Sequence, residues 1–426
     1  MDGSGTSDIS AHPSPRGAGR RAFLGGALGA AGLAVGGATG FGIGRDSQPS
    51  RAASATLPFY GRHQAGISTA TQDRLAFAAF DVTTGDRMEL ARMLGTWAAA
   101  AERLTRGEQI GPVETHPQAP PVDTGEAVGL SASRLTVTVG FGPSLFDDRF
   151  GLADRRPAVL SDLPALPGDS LRREISGGDL AVQACADDPQ VAFHVIRNFA
   201  RLARGTAVMR WSQLGFGKTA STSSAQATPR NLMGFKDGTR NIKEQDHHDF
   251  ERFVWVGDET DQDWMRGGSY LVTRRIRMLI ESWDTDFLAD QENVFGRVKD
   301  TGAPLTGTHE FDTPDLSARD GHGNPVIPLN AHIRLAAHET NGGTRLLRRG
   351  YSYTDGIDPV TGYLDAGLFF ITFQKDPDQF VRIQRKLGSR DLLNEYIQHT
   401  SSAVFACPPG LSGPGDWWGR TLFAET

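Results

Sequence analysis

The pattern of apolar and polar residues divides the chain from residue 57 onward into short strand-like segments and longer helix-like ones. Runs rich in β-branched and aromatic residues predict β-strands over residues 75–81, 135–139, 180–185 and 368–374. Apolar residues at a helical period predict a first amphipathic helix with the buried face Leu90, Met93, Leu94, Trp97, Ala101 and Leu104. Strands that alternate in polarity and are separated by helices favour an α+β fold, with antiparallel sheets covered by helices on one face.

The two ends of this region carry similar patterns. In each, a strand with two phenylalanines three positions apart precedes an amphipathic helix. A stretch poor in hydrophobic residues, 217–229, lies between the two halves. The sequence therefore predicts a duplicated architecture with an N-terminal domain over residues 57–215 and a C-terminal domain over residues 216–426.

Residues 1–55 have the parts of an export signal. A polar region leads to the consecutive arginines Arg20 and Arg21, and an uncharged stretch rich in Gly and Ala follows up to Gly44. This order is typical of a twin-arginine signal peptide, and residues 53–55 (ASA) suit cleavage. The alternative is an uncleaved membrane anchor, since the stretch is long enough to span a bilayer. We expect export by the twin-arginine machinery, with the protein secreted, periplasmic or at the cell surface.

Composition and charge exclude several classes of function. With 38% hydrophobic and 22% charged residues, the chain has enough apolar content for a folded core. The net charge of −6, without a basic block beyond the N-terminus, argues against nucleic acid as a partner. The two cysteines, Cys185 and Cys407, are too few for a disulfide-dense scaffold, a thiolate zinc site or an iron–sulfur cluster. Covalent haem attachment is also excluded, because the sequence has no C-x-x-C-H motif.

The first segment with candidate chemistry, residues 234–241 (GFKDGTRN), places an acid between two glycines. Glycine permits backbone conformations that other residues avoid, and it lets a loop approach a flat ligand closely. Asp237 is therefore a candidate acid or base on a loop with few shielding side chains. The alternative is a solvated turn residue, because Asp-Gly is a common turn pair.

The second segment, residues 328–335 (PLNAHIRL), contains His332 in a largely apolar run. Neutral imidazole is a common metal ligand, but His322 and His338 do not share a helical face with it. A single protein ligand is unusual for zinc and suits haem iron, because the porphyrin supplies the in-plane nitrogens. The alternative is a buried histidine that satisfies one hydrogen bond.

The third segment, residues 345–353 (RLLRRGYSY), interleaves basic and apolar residues, so one of Arg348 and Arg349 is expected to point inward. A buried guanidinium needs an anionic partner. A haem propionate, or a peroxide that is losing a proton, would supply one. The alternative is a structural ion pair with a carboxylate.

In order and spacing, the three segments resemble the dye-decolorising peroxidase family, and within it the exported branch of haem peroxidase/deferrochelatase proteins. GFKDG matches the family's G-x-x-D-G motif, His332 with Arg334 fits its proximal-histidine segment, and residues 347–353 fit its distal-arginine segment. Further matches lie at residues 59–67, 140–142, 178–180 and 186–189. The resemblance covers residues 57–426.

The resemblance implies two ferredoxin-like domains of the dimeric α/β-barrel-like superfamily, with one haem b per chain. His332 would be the axial ligand of the iron, while Asp237 would shuttle a proton and Arg348 would stabilise negative charge. Glu395 is the expected acceptor for the second imidazole nitrogen, with Asp391 in reserve. The residues expected to contact haem are Gly238, Thr239, Arg240, Arg334, Ala337, His338, Glu339, Arg348 and Phe370.

The resemblance also implies a secreted peroxidase that reduces hydrogen peroxide and oxidises dyes, phenolic compounds or other organic donors by one-electron steps through a ferryl intermediate. Most such donors are too bulky to reach buried haem, so a relay near the surface is expected, with the candidates Trp211, Tyr351, Tyr353 and Trp418. One rival is a deferrochelatase that releases iron from haem and works with iron-uptake partners. The other is an α+β binding module without a cofactor. The sequence carries no signal for the oligomeric state.

Overall fold

A computed structural model describes residues 56–424, and the strands of this part of the chain form one nine-stranded antiparallel sheet. The strands are β1 (Arg74–Val82), β2 (Thr136–Phe141), β3 (Leu180–Ala186), β4 (Ala207–Lys218), β5 (Ser269–Met278), β6 (Leu347–Arg348), β7 (Tyr351–Ile357), β8 (Leu364–Gln374) and β9 (Ile397–Cys407). The helices are α1 (Arg87–Thr105), α2 (Pro189–Leu202), α3 (His247–Phe253), α4 (Ile280–Trp283), α5 (Leu288–Phe295), α6 (His332–Ala336), α7 (Asp378–Arg390) and α8 (Arg420–Phe423). The predicted signal peptide, residues 1–55, lies outside the described residues.

The sheet closes on itself. Its strands follow the order β5-β9-β2-β3-β1-β4-β7-β8, and β8 pairs with β5 to complete a ring, while β6 lies beside β7 on the same edge of β8. The first half of the chain supplies β1 to β4 and the second half supplies β5 to β9. The two halves meet where β4 pairs with β7 and where β2 pairs with β9. The α+β prediction is confirmed, but the halves share one closed sheet instead of carrying separate ones.

The connection between the halves begins later than the sequence indicated. β4 runs to Lys218, so residue 215 lies inside a strand. From Thr219 the stretch up to residue 229 is irregular, in agreement with its low hydrophobic content. Because the sheet is continuous across this connection, the division into domains over residues 57–215 and 216–426 stays a prediction.

The two helices of the first half, α1 and α2, begin at capping carboxylates. Asp86 accepts hydrogen bonds from two backbone N–H groups in the first turn of α1. Asp188 does the same for α2, with Pro189 at the first helical position, as the sequence predicts. Trp97 of α1 stacks on Phe199 of α2, with ring centroids 4.7 Å apart. Within residues 56–424, no helix combines the length and apolar content of a membrane-spanning segment.

Alternate residues of each strand point into the ring and away from it. The interior is packed with aromatic side chains, among which Phe77 lies 5.2 Å from both Trp211 and Phe369. On the outside, α1 and α2 cover β1 and β3. The outer residues of β5 and β8, such as Arg274 and Phe370, lie across from α7 instead, and the space between them forms the cavity described next.

Candidate active site

A cavity of about 1600 Å³, including its open mouth, separates the outer face of β5, β8 and β9 from α6 and α7. Much of its wall is apolar, including Ile276, Met278, Phe295, Leu368, Phe370, Ile383, Leu387, Leu393 and Ile397. The wall also carries side chains from all three candidate segments: Asp237, His332 and Arg348. The folded chain therefore brings together the three residues on which the sequence-based hypothesis depends.

His332 is the first residue of α6, and the exposed 28% of its side chain opens into the cavity. Its Nδ1 donates a hydrogen bond to Oδ2 of Asp391 at 2.6 Å. Burial disfavours the charged imidazole, but the carboxylate of Asp391 outweighs this effect and raises the pKa of His332. Because Nδ1 is occupied, Nε2 is the nitrogen available to bind a metal ion.

The expectation that Glu395 accepts this hydrogen bond is wrong, and the reserve candidate Asp391 occupies the position. Residues 392–395 form a single 3-10 turn and not a continuous helix, which leaves Glu395 exposed to solvent. Asp391 caps that turn through a hydrogen bond from the backbone N–H of Leu393 at 2.9 Å. An aspartate immediately before Leu392-Leu393 is a helix-start signal that could have identified this residue.

Asp237 and Arg348 form an ion pair at the cavity wall. Nη1 of Arg348 donates to Oδ1 of Asp237 at 2.6 Å. Asn241 fixes the backbone of Arg348 from both sides, since it accepts from the arginine N–H at 2.8 Å and donates to its carbonyl at 2.9 Å. The predicted alternatives of a solvated turn aspartate and a purely structural pair do not account for two charged groups that open into a cavity beside a histidine.

The glycine next to Asp237 is needed for the local backbone conformation. Gly238 has a φ of +84°, and a Cβ at this position would lie 2.8 Å from the Cα of Ala220. The glycine is therefore required for a left-handed turn that packs on the chain segment after β4. This packing holds Asp237 at the edge of the cavity.

Most of the predicted contact residues line the cavity. These are Gly238, Thr239, Arg240, Ala337, His338, Arg348 and Phe370. Glu339 is not part of the wall but forms an ion pair with Arg240 at 2.6 Å. Phe370 packs against Phe380 of α7, with centroids 6.0 Å apart, so it combines the two predicted roles of pocket wall and core residue.

Arg334, like Glu339, is not part of the cavity wall. Its guanidinium points away from the cavity and donates to the backbone carbonyls of Leu316, Ile327 and Pro328. Two residues after His332 in a helix, a side chain points to a different side, which explains the error. Arg334 therefore ties the preceding loop to α6, with its guanidinium outside the cavity.

The predicted electron relays are not surface residues. Trp211, Tyr351, Tyr353 and Trp418 are all buried, with at most 7% of each residue exposed. Trp211, Tyr351 and Tyr353 lie in the interior of the ring, on the face of the sheet opposite to the cavity. A role of these buried residues as an electron relay stays a prediction.

Five titratable residues of the cavity wall were given no role in the sequence analysis: Lys236, Arg274, Arg297, Arg345 and His399. Arg274 is paired with Asp169, and His399 lies 3.4 Å from Gln384 of α7. The strand alternation of residues 272–278 places Arg274 on the outer face, so its position could have been found. Nothing in the local sequence around Arg297 or His399 distinguishes them from surface residues.

His399 should make stability depend on pH. Burial, and then the charge of Arg274, lower the pKa of His399 from 6.5 to about 4. Between these values the unfolded chain binds a proton that the folded chain does not, so stability falls as pH is lowered through this window. When the pH is lowered from about 7 to about 4.5, we expect the free energy of unfolding to fall less in His399→Gln than in the parent protein. The difference between the two falls should be on the order of 2 kcal/mol, measured by urea unfolding. Equal losses in both proteins would contradict the assignment.

The cavity suits haem. Its apolar walls match a flat macrocycle, a single imidazole offers Nε2, and the wall carries a guanidinium that can donate hydrogen bonds to a carboxylate. Within the part of the chain that the structure describes, no group of three His, Cys, Asp or Glu side chains is arranged to hold a metal ion by itself. A macrocycle would supply the in-plane ligands to a metal ion bound by His332.

Comparison with known proteins agrees with this geometry. Residues 64–217 match the family model described as Dyp-type peroxidase, N-terminal, and residues 228–412 match the one described as Dyp-type peroxidase, C-terminal. The curated deferrochelatase of Escherichia coli strain K12 is 38% identical over 371 residues, which are 86% of this chain and 86% of that protein.

Solved structures give the same result. A DyP-type peroxidase from Streptomyces coelicolor superposes with a TM-score of 0.80 at 42% identity, covering 87% of this chain and 98% of that one. Ferric DtpA from Streptomyces lividans superposes with a TM-score of 0.79 at 41% identity and the same coverage. The chain therefore belongs to the Dyp-type peroxidase family and is a haem-dependent peroxidase.

Proposed function

We propose that this protein holds haem b in the cavity above β5, β8 and β9, reduces hydrogen peroxide there, and oxidises organic donors by one-electron steps. The observation that carries the proposal is that the Asp237–Arg348 ion pair opens into the same cavity as His332. Bound haem would supply the iron that exchanges electrons with peroxide and with the donor. The side chains around it hold protons and orient the peroxide.

Asp237 is the proton acceptor and donor of this proposal. Its Oδ1 is occupied by Arg348, while its Oδ2 lies 3.5 Å from Nδ2 of Asn231, which is a weak contact. The second oxygen is therefore available for a proton from one peroxide oxygen. The same carboxyl can return the proton to the other oxygen, which becomes water when the O–O bond breaks.

Arg348 orients the peroxide and stabilises negative charge. A guanidinium has several N–H donors in one plane, and the contact with Asp237 uses Nη1. The remaining donors can bind a peroxide that has lost its proton. Since Asn241 holds the backbone on both sides, these donors are in place before the ligand arrives, which is the condition for effective electrostatic stabilisation.

His332 would bind the haem iron through Nε2, and Asp391 holds its imidazole in place through the hydrogen bond to Nδ1. The carboxylate of Asp391 fixes the imidazole tautomer and increases its donation of electrons. Asp391→Asn keeps a hydrogen bond but removes the charge, so we expect haem affinity or the rate of peroxide reduction to fall by about 10- to 100-fold. Haem titration and peroxide kinetics check this. Glu395→Gln is the matched control and should match the parent protein, and an equal loss in both variants would contradict the assignment of Asp391.

An absorption spectrum tests the proposal as a whole. The purified protein should show the Soret band of ferric haem, which should change on addition of hydrogen peroxide and return when a phenolic donor or dye is added. A colourless protein that does not take up added haem would overturn the proposal. So would bound haem whose spectrum does not respond to peroxide.

A second candidate function is removal of iron from haem, favoured by the 38% identity to a deferrochelatase over 86% of both chains. The two functions leave different products. Under reducing conditions without peroxide, a deferrochelatase would release chelatable iron and leave intact metal-free protoporphyrin, which chromatography separates from haem. Recovery of unchanged haem would favour the peroxidase. Iron-uptake partners are expected only if the protein is a deferrochelatase.

Export by the twin-arginine machinery remains part of the proposal. It is supported by Arg20-Arg21 and the uncharged stretch that follows them. Replacing both arginines by lysine should leave the protein in the cytoplasm with its haem bound, as judged by cell fractionation. An unchanged distribution in the fractions would show that another route is used, or that the segment is no signal.

A further inference from the structure

One charged side chain of the cavity lacks a partner of opposite charge. Five arginines line the cavity within residues 56–424, and four of them form ion pairs. The pairs are Arg240–Glu339, Arg274–Asp169, Arg345–Asp249 and Arg348–Asp237. Arg297 is the fifth, and it forms no ion pair with any residue in the described part of the chain.

Arg297 is nevertheless almost completely buried, with 5% of the residue exposed. Its Nη1 donates to two neutral acceptors, the carbonyls of Gly302 at 2.6 Å and Glu310 at 3.1 Å. Among residues 56–424, no acceptor receives a hydrogen bond from Nε or Nη2. A buried guanidinium is costly unless an anion balances it. The remaining edge of Arg297 therefore has the properties of a binding site for an anion.

The charged groups near Arg297 also favour an anion at this position. Burial lowers the pKa of Arg297, and the positive charges of Arg240 and Arg348 add to this effect, while the negative charges of Glu310 and Asp237 oppose it. Several positive groups thus act on one small region of the cavity. A negatively charged ligand there would relieve their repulsion.

The backbone holds Arg297 in a fixed position relative to His332. The preceding residue, Gly296, ends α5 with a φ of +78°, and a Cβ there would lie 2.8 Å from Cγ1 of Ile333 in α6. The following residues form a tight hairpin in which Val298 N–H donates to the carbonyl of Ala303 at 2.8 Å. The backbone that carries Arg297 is therefore packed closely on α6, the helix that begins with His332.

We infer that the free edge of Arg297 binds a carboxylate of the cofactor, namely one haem propionate. The inference rests on the proposed position of haem in this cavity. Arg240, which the sequence suggested for this role, already donates two hydrogen bonds to Glu339, at 2.6 and 3.1 Å. A guanidinium edge with two free donors matches a carboxylate in both geometry and charge, and Arg297 offers that edge.

The experiment compares haem with its dimethyl ester, which has the same iron and ring but no carboxylates. Each complex is mixed with an excess of a haem-scavenging protein, and the release rate is followed by absorbance. The parent protein should release the ester faster than haem, by roughly tenfold or more. In Arg297→Leu, haem release should accelerate while release of the ester stays nearly the same, so the difference between the two ligands should largely disappear.

The ester is an internal control for folding, because a loss of structure accelerates the release of both ligands. Equal acceleration of both in Arg297→Leu would assign the residue a structural role and overturn the inference. Arg240→Leu is the matched control, and it should preserve the difference between haem and ester. If Arg240→Leu removes that difference and Arg297→Leu does not, the carboxylate is bound at Arg240 and the inference is wrong.

Two further outcomes distinguish this inference from the proposed function and from binding of a free carboxylate. If the parent protein binds neither haem nor the ester, the proposed function fails, whereas binding of both with equal release rates overturns only the assignment of Arg297. A free small carboxylate is the other source of the same chemistry. A saturable spectral response of the haem-loaded protein to benzoate that Arg297→Leu abolishes, with an unchanged ratio of haem to ester release, would also overturn the inference.

Discussion

Arg348→Leu is expected to slow the reaction of the haem-loaded protein with hydrogen peroxide by about 10²- to 10³-fold, the typical effect of losing one preorganised donor at a site of developing charge. The leucine leaves the backbone contacts with Asn241 in place, because these involve only the N–H and carbonyl of residue 348. The fold and the cavity should therefore survive. The measurement is the dependence of the stopped-flow absorbance change on peroxide concentration.

Asp237→Asn should have an effect of similar size, about 10²- to 10⁴-fold, because the amide cannot accept the peroxide proton. The two residues touch each other and act on one ligand, so their effects should not multiply. We expect the double variant to be only slightly slower than the slower single variant. Effects that multiply fully would show that the two groups act in separate steps.

Arg334→Leu is the matched control for both variants. It removes an arginine close to His332 in sequence whose guanidinium contacts only backbone carbonyls outside the cavity. Its peroxide rate should remain within a few-fold of the parent protein. Unchanged rates in Arg348→Leu and Asp237→Asn, with haem retained, would remove the proposed mechanism while leaving the family assignment intact.

Local features of the fold could be predicted because they depend on neighbours in sequence. The face of α1 and the start of α2 follow from apolar spacing and from the capping residues Asp86 and Asp188. The closure of the sheet could not be predicted in this way. It depends on pairings such as Arg274 with Phe370, which lie far apart in the chain. Neither segment carries a local sequence pattern that specifies its partner strand.

In the candidate site, too, the residues set by local sequence could be predicted and those set by contacts between distant segments could not. Asp237, His332 and Arg348 belong to motifs with fixed local spacing, so the sequence identified them. The acceptor of His332 depends on how the chain turns at residues 391–395, and a 3-10 turn in place of a helix exchanges Glu395 for Asp391. That Arg297 has no ion-pair partner among the described residues can be recognised only from the structure, because it requires the partner of every other cavity arginine to be known.

His332→Ala is expected to abolish stable haem binding. Loss of only the partner of a metal-binding histidine costs about 10- to 100-fold in affinity, so loss of the ligand itself should cost at least as much. The remaining contacts are apolar walls and arginines, which can hold the ring but cannot bind the iron. The purified variant should therefore contain little haem per chain, as measured by the pyridine haemochrome spectrum and protein concentration.

Imidazole added in solution should partly restore the spectrum of His332→Ala, because the cavity left by the side chain lies next to the carboxylate of Asp391. That rescue distinguishes a lost ligand from a misfolded protein, which added imidazole would not repair. His338→Ala is the matched control: it removes another histidine of the cavity wall, one that lies beside Glu339 and has no hydrogen bond to Asp391. It should retain haem. Loss of haem from His338→Ala with full retention in His332→Ala would move the axial ligand to His338, and the roles of Asp391, Asp237 and Arg348 would then have to be assigned again.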